Sequence, residues 1–382
     1  MILTKLYKEF FNSEKSGGII LIFATFFSVL MANSVFQSQY LGFWYTNLGD
    51  HTIAQWINDG LMTIFFLLIG LELEREIYEG ELSDFRNAAL PIIAALGGML
   101  VPAGIFLLLN HGLPSQSGAG IPMATDIAFA LGILSLLGNK VPASLKIFLT
   151  ALAVIDDLGA IIVIAVFYTG SIMLTNLLIA FGIYAFLILL NRLKVCSMIP
   201  YLAGGIVMWY FMLHSGVHPT VTGVLLAFAI PFGKSVQTSP SYKIQHFLHK
   251  PVAFFILPVF AIANTGIIIN SGWHNSMLEM ANLGIITGLI VGKPLGIALF
   301  SYLGVKLRLA KLPGDLKWKN ILAVGVLGGI GFTMSIFITL LAFPDAEMIN
   351  QAEIAILSGS LISAVAGFVL LKFTLKKTVI DE

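Results

Sequence analysis

The sequence predicts an all-α integral membrane protein with twelve transmembrane helices, and three observations carry that reading. The 382 residues are 58% hydrophobic and only 11% charged, with a mean hydropathy of +0.93, whereas soluble domains are roughly 45–50% apolar and 25% charged. Apolar windows wide enough to cross a bilayer recur along the whole chain. Lys and Arg fall in every second connection between those windows and leave the others empty.

The windows lie at about 11–31, 53–80, 88–110, 116–137, 145–169, 172–191, 198–213, 216–230, 246–266, 283–304, 320–343 and 351–375. Lys5, Lys8 and Lys15 followed by the apolar run Gly17 to Met31 resemble a signal peptide, but no convincing small-residue cleavage site follows and many further windows do, so the first window is an uncleaved first helix. Basic residues then occur at 75 and 86, 140 and 146, 192 and 194, 234 to 250, 306 to 319, and 372 to 377. All but Lys293 of the 21 therefore share one side, which by the positive-inside rule is the cytoplasm, with both termini inside. The windows 198–213 and 216–230 are short, yet Lys194 and Lys234 must share a side. The chain has to cross and return there, turning at Leu213-His214-Ser215-Gly216. The expected partner is the lipid bilayer, and nucleic acid is not. One cysteine, Cys196, forms no intrachain disulfide, and no Cys/His cluster offers a structural metal site.

Against this background the charges inside the windows stand out. Ile147 to Tyr168 is apolar but for Asp156 and Asp157 near its middle. An acid at the bilayer centre costs roughly 2.5–3.5 kcal/mol on insertion scales and marks an ion or proton path. Neighbours on a helix point about 100° apart, so one of the two faces the ion and the other a fixed partner. In the second window twelve residues separate Asp59 from Glu72, about 18 Å of helix, so at least one of these acids lies at membrane depth. Glu72 and Glu76, with Arg75 between them, form either an acidic cytoplasmic vestibule or a solvated helix end. His218 is a further polar residue at membrane depth. Lys293 lies about ten residues from either end of its window, roughly 15 Å from each surface, and cannot snorkel out.

Two windows carry helix breakers: Gly118-Ala-Gly-Ile-Pro122-Met-Ala-Thr125-Asp126 in the fourth, and Gly325-Val-Leu-Gly328-Gly329-Ile-Gly331-Phe-Thr333-Met-Ser335 in the eleventh. They hold equivalent places in two inverted repeats, about 88–169 and 283–375. Interrupted helices in matching positions point to a binding site between such repeats, here at two crossed discontinuous helices. Opposed half-helix ends leave partial charges, which Asp126 and Lys293 are available to offset.

These residues carry a resemblance. Ala124-Thr125-Asp126-Ile-Ala-Phe-Ala-Leu-Gly, Leu152-Ala-Val-Ile-Asp156-Asp157-Leu-Gly-Ala, Ser215-Gly-Val-His218, Gly292-Lys293-Pro294-Leu-Gly and Gly331-Phe-Thr-Met-Ser-Ile-Phe resemble the bacterial NhaA sodium/proton antiporters, from about Phe11 to the last window. The rule about interrupted helices was itself drawn partly from that family. The resemblance implies a twelve-helix inner-membrane antiporter, a single transporter unit and not an enzyme, that exports Na⁺ or Li⁺ for entering H⁺. Asp157 would be the principal Na⁺ ligand and Asp156 its neighbour in proton exchange. Thr125 and Asp126 would belong to the crossing and Lys293 would be the midplane cation; no cofactor is implied. It also implies a homodimer, formed in part through the extracytoplasmic loop 33–51. That loop, with Tyr40, Phe43, Trp44 and Tyr45, reads equally as a hairpin or as an aromatic interface belt.

The chain departs from the family at the cytoplasmic end. Before the ninth window it reads Tyr242-Lys243-Ile-Gln245-His246-Phe-Leu-His249, with Gln245 where the family has an acid, and Glu74 stands where a basic residue is commoner. His246 and His249, with Glu72, Glu74 and Glu76, are the candidate pH-responsive groups. Two other functions use similar residues. A membrane aspartyl protease would pair Asp126 with Asp157, but its Gly-x-Gly-Asp signature is absent and Lys293 opposes the dyad. A cation channel or Na⁺-coupled symporter remains the alternative.

Overall fold

The computed structural model describes residues 14–233, 239–270 and 272–375. Phe11, Lys5, Lys8, Lys234, Lys376 and Lys377, on which part of the sequence reading rests, lie outside the described residues. Among those described, eight helices are long and apolar enough to cross a membrane. The number rises to ten when the bent pairs Ser16–Ala32 with Gln37–Trp44 and Trp318–Gly328 with Phe332–Ala342 each count as one. The protein is an integral, multi-pass membrane protein built mostly of helices.

The helices gather into two compact units. The first takes residues up to Phe23, Glu81–Ala160 and those from Ile267 onward; the second takes Ala24–Gly80 and Ile161–Gly266.

In the first unit, Phe85–Leu109 keeps its helix through Pro91 and Pro102 and packs along Lys293–Lys306. The contact is backbone on backbone: a Cβ on Gly97 would strike the carbonyl of Gly296, and one on Gly296 the carbonyl of Gly97. Small residues on facing helices allow this approach, which packing in lipid rewards because burial from water cannot drive it. The result fixes the first turn of Lys293–Lys306 against its neighbour. Ala143–Phe167 carries Asp156 and Asp157 as the fourteenth and fifteenth of its 25 residues. The last helix, Ala346–Thr374, starts where the Asp345 side chain accepts the N–H of Met348 at 3.0 Å.

The two windows with breakers are interrupted. Pro114–Met123 is a 3₁₀ helix, Ala124–Asp126 is non-helical, and Ile127–Ser135 is α-helical. Ten residues of 3₁₀ helix is an unusual length for that geometry. Trp318–Gly328 and Phe332–Ala342 meet at a 48° bend.

In the second unit, Met62–Tyr78 packs on Val221–Ala229 through Gly70 and Gly223. Leu174–Arg192 and Ile199–Leu213 pack around Ala180, Leu187, Tyr201 and Met208. The expected reversal after Leu213 is present: the helix caps at His214, and Gly216 adopts φ +89°.

Three features differ from the sequence reading. Five-residue π-helical turns interrupt helices at Ile57–Leu61, Val252–Ile256 and Gly288–Gly292, and apolar periodicity gives no warning of them. The helix expected at 246–266 begins at Pro240, because Ser239 caps it by accepting the N–H of Tyr242 at 3.1 Å. The loop 33–51 holds the helix Gln37–Trp44 and, beyond it, a two-residue antiparallel ladder pairing Asn47 with Thr52 and Leu48 with His51.

Candidate functional site

The centre of the first unit is built where the two interruptions meet. The Asp126 N–H donates to the Ile330 carbonyl at 2.6 Å. One carboxylate oxygen of Asp126 accepts the Phe129 N–H at 2.9 Å, and the other accepts the N–H and hydroxyl of Thr333 at 3.2 and 2.5 Å. Phe129 lies in the first turn of Ile127–Ser135 and Thr333 in the first turn of Phe332–Ala342. One carboxylate thus caps two helix N-termini, and its charge offsets the partial positive charge of both. Ser335 adds a strut, donating to the Ile121 carbonyl at 2.7 Å.

Thr125 points the other way. Its hydroxyl lies 2.8 Å from Asp156 Oδ2 and 2.9 Å from the carbonyl of Gly328, the last residue of the helix before the break. A hydroxyl has one proton, so it donates to one of these acceptors at a time. It also accepts from Lys293 Nζ at 2.8 Å. Lys293 Nζ in turn forms an ion pair with Asp156 Oδ2, and both residues are fully buried. Of the two adjacent acids, Asp156 is therefore the one held by a fixed cation. Its other oxygen, Oδ1, is buried and takes no hydrogen bond among the described residues. Asp157, the next residue, is also fully buried. Lys293 follows the π-helical turn Gly288–Gly292, a distortion frequent at functional sites.

Of the residues the sequence singled out, Thr125, Asp156 and Lys293 are thus joined by hydrogen bonds and one ion pair, while Asp126, next to Thr125 in the chain, ties the two breaks together. Thr333 and the carbonyls of Gly328 and Ile330 complete the arrangement and were not foreseen. Thr333 sits inside a recognised motif, but nothing in the sequence pairs it with Asp126. Chemically, the cluster offers hard oxygen donors of the kind that suit a small alkali cation, and carboxylates, which can carry either a negative charge or a proton.

The second unit holds the other candidates. Asp59 lies in the π-helical turn Ile57–Leu61, with His218 Nε2 3.4 Å from its carboxylate. Beside it, Asn58 and Asn264 exchange amide hydrogen bonds of 3.1 and 2.7 Å. Further along, Arg75 pairs with Glu76 at 3.1 Å, and Glu72 is half-buried. Glu74 is buried and accepts the Ser241 hydroxyl at 2.6 Å. Gln245, one turn after Ser241, is buried as well, whereas His246 and His249 are exposed and form no ion pair among the described residues. His246 stacks on Tyr242 at a ring-centroid distance of 6.1 Å. In the loop 33–51, Tyr40 turns inward to the Ile262 carbonyl at 2.7 Å, while Phe43 and Tyr45 remain exposed.

Comparison with known proteins gives the arrangement a context. The family profile described as Na⁺/H⁺ antiporter 1 matches residues 8–371. A Na⁺/H⁺ antiporter NhaA of Flavobacterium psychrophilum is 65% identical over 382 residues, covering 100% of both chains. The NhaA antiporter of Cytophaga hutchinsonii is 61% identical over 382 residues, 100% of this chain and 99% of its own. That of Vibrio campbellii is 48% identical over 384 aligned residues, 100% of this chain and 98% of its own.

Proposed function

The chain belongs to the Na⁺/H⁺ antiporter 1 family, and on that premise we propose that it is an electrogenic exchanger of the bacterial inner membrane. It exports Na⁺ or Li⁺ from the cytoplasm in return for entering H⁺, by alternating access at the carboxylates Asp156 and Asp157. The observation that carries this reading is the fully buried ion pair of Lys293 with Asp156 at the meeting of the two interrupted helices.

The charges explain why such a site exchanges. With Asp126, Asp156 and Asp157 ionised and Lys293 protonated, the cluster carries a net charge of −2, which is costly in low-dielectric surroundings. Asp126 spends its charge on two helix N-termini, so the remaining demand falls on Asp156 and Asp157. Either a cation or protons must come in, and whichever enters displaces the other. Two protons empty the pair and one Na⁺ fills it, so each cycle carries net positive charge inward and the membrane potential helps to drive export.

The ten candidate spans, with Ile199–Leu213 and the reversal leading into Val221–Ala229, support a count of twelve. The placement of Lys and Arg supports cytoplasmic termini. Dimerisation through the loop 33–51 draws on the exposed Phe43 and Tyr45 and on the short ladder beyond them.

The test is flux coupling in proteoliposomes. An imposed Na⁺ gradient is expected to move protons in the opposite direction and to build a membrane potential. Na⁺ flux without opposed proton movement, as a channel would give, overturns the reading.

A further inference from the structure

The largest group of basic residues in any one connection lies away from the ion site. The stretch 306–319, which joins Lys293–Lys306 to Trp318–Gly328, carries Lys306, Arg308, Lys311, Lys317 and Lys319 against one acid, Asp315. That acid is engaged, since its carboxylate accepts the Ser144 hydroxyl at 2.5 Å. All five basic side chains are exposed, and none forms an ion pair among the described residues. Two basic residues serve the connections at 140–146 and at 192–194, so fixing the orientation of the chain does not require five.

Register brings part of this charge to one groove. Trp318 meets Tyr302, Gly325 meets Pro294 and Gly329 meets Leu289, so the two helices run antiparallel with their outer ends side by side. The rings of Tyr302 and Trp318 stand edge to face at 5.5 Å. Lys306, one turn beyond Tyr302, holds its Nζ 5.9 Å from the centre of the Tyr302 ring. Leu295, Leu299 and Leu303 continue the exposed face of the first helix toward the midplane at the spacing of one helical stripe, and Leu322 does the same on the second, one turn after Trp318. From outside inward the groove thus presents ammonium groups, an aromatic pair and apolar side chains. A phospholipid presents phosphate, glycerol ester and acyl chain in that same order. The start of Trp318–Gly328 adds a demand for negative charge. It has no acid in its first turn and has Lys317 and Lys319 on either side of Trp318, whereas the positive end of a helix dipole favours an anion. The last helix meets the same demand from within the chain, with Asp345 and Glu347.

We propose that the outer ends of Lys293–Lys306 and Trp318–Gly328 bind one anionic phospholipid, with its phosphate between Lys306 and the lysines flanking Trp318 and its acyl chains along Leu299, Leu303 and Leu322. Both helices reach the ion site at their other ends, through Lys293 and the Gly328 carbonyl. The lipid therefore braces, from the membrane surface, the two helices that carry those groups. A zwitterionic phospholipid fits the apolar part of the groove but brings a cation against the lysines, so the site selects headgroups of net negative charge. The proposal takes the cytoplasmic placement of 306–319 from the reading above and nothing from the exchange itself.

The test is quenching of tryptophan fluorescence by phospholipids brominated in their acyl chains, for the protein reconstituted in phosphatidylcholine vesicles. The Trp318 signal is the difference between wild type and Trp318→Phe. Brominated phosphatidylglycerol is expected to quench it at a mole fraction well below that needed of brominated phosphatidylcholine. Lys306→Gln with Lys319→Gln should raise the required phosphatidylglycerol fraction by about fivefold or more, since one lysine near the surface contributes about a factor of five toward anionic lipid. Lys140→Gln with Lys146→Gln, which removes the same charge from another connection on the same side, should leave it unchanged. Equal quenching by the two lipids overturns the site. An equal shift in both double variants overturns it too, because the charge of the whole surface would then be the cause. If the Lys306 and Lys319 double variant does not insert, Lys306→Gln alone decides on the same terms. Melting temperature in detergent gives a second readout: added phosphatidylglycerol should raise it more in wild type and in the Lys140 and Lys146 variant than in the Lys306 and Lys319 variant, and an equal rise in all three overturns the bracing. No readout depends on transport, so absence of Na⁺-driven proton movement would overturn the exchange reading and leave this one standing.

Discussion

Two charged clusters, one in each unit, are built on opposite terms. Around Asp126, Asp156 and Lys293 the charges are fully or almost fully buried, and each is matched to another charge or to helix ends. Around Glu74, the buried acid meets only a neutral hydroxyl, Gln245 beside that hydroxyl is neutral as well, and the histidines are exposed. Charge sealed in a dry centre is held by geometry and has few ways to relax. Charge on exposed side chains, as on the histidines of the second, is screened and adjustable. The first cluster should therefore fail abruptly when one member is altered, and the second should give graded responses.

The largest effect is expected at Asp157. Asp157→Asn keeps the size of the side chain and removes its charge, and is expected to abolish Na⁺-driven proton movement while the protein still inserts and folds. Robust exchange by this variant would take the ion away from the pair.

Lys293→Ala comes next. Deleting one partner of a buried pair typically costs about 3–5 kcal/mol, because the remaining charge has no compensation. The melting temperature in detergent should fall strongly, and Lys293→Ala combined with Asp156→Asn should recover much of the loss. An unchanged melting temperature in the single variant would count against the dry pair. So would a double variant no more stable than the single.

A smaller loss is expected for Thr333→Val, which keeps the shape and deletes the hydroxyl that Asp126 accepts. Hydrogen bonds to charged groups contribute about 1.5–3 kcal/mol, so thermal stability should drop by less than for Lys293→Ala. Asp126→Asn should show little further loss when combined with Thr333→Val if the two act as one cap. Full additivity would mean that they act separately.

The ranking also shows what the sequence could convey. Lys293, Asp156 and Asp157 are legible because a charge in a long apolar run is conspicuous against the cost of burying it. The breaks are legible because Gly and Pro mark them. What the breaks do is not: that Asp126 caps two helices, and that Gly328 and Ile330 offer their carbonyls, depends on residues about 200 positions apart meeting in space. The π-helical turns beneath Asp59 and before Lys293 leave the apolar pattern unchanged and so leave no trace in it.

The smallest effect is expected at the margin, and it concerns pH. Protons and Na⁺ compete for the same carboxylates, so apparent Na⁺ affinity rises with pH whether or not a separate sensor exists. A sensor in addition requires groups that titrate near neutrality and are coupled to something that moves. His246 and His249 are exposed and form no ion pair among the described residues, and Gln245, where the family resemblance leads one to expect an acid, cannot titrate. From the facing helix, Glu74 is engaged by Ser241, and Glu76 by Arg75. Neither histidine belongs to an ion pair among the described residues whose breaking could act as a switch. Competition then dominates, and saturating Na⁺ should largely flatten the activity profile from about pH 6 to pH 8.5, a range that brackets the unperturbed histidine pKa. At low Na⁺ the same profile should climb with pH, because fewer protons hold the carboxylates. A steep switch that persists at saturating Na⁺ and disappears in His246→Ala would reverse the comparison, since it would make the cluster around Glu74 the more tightly coupled of the two.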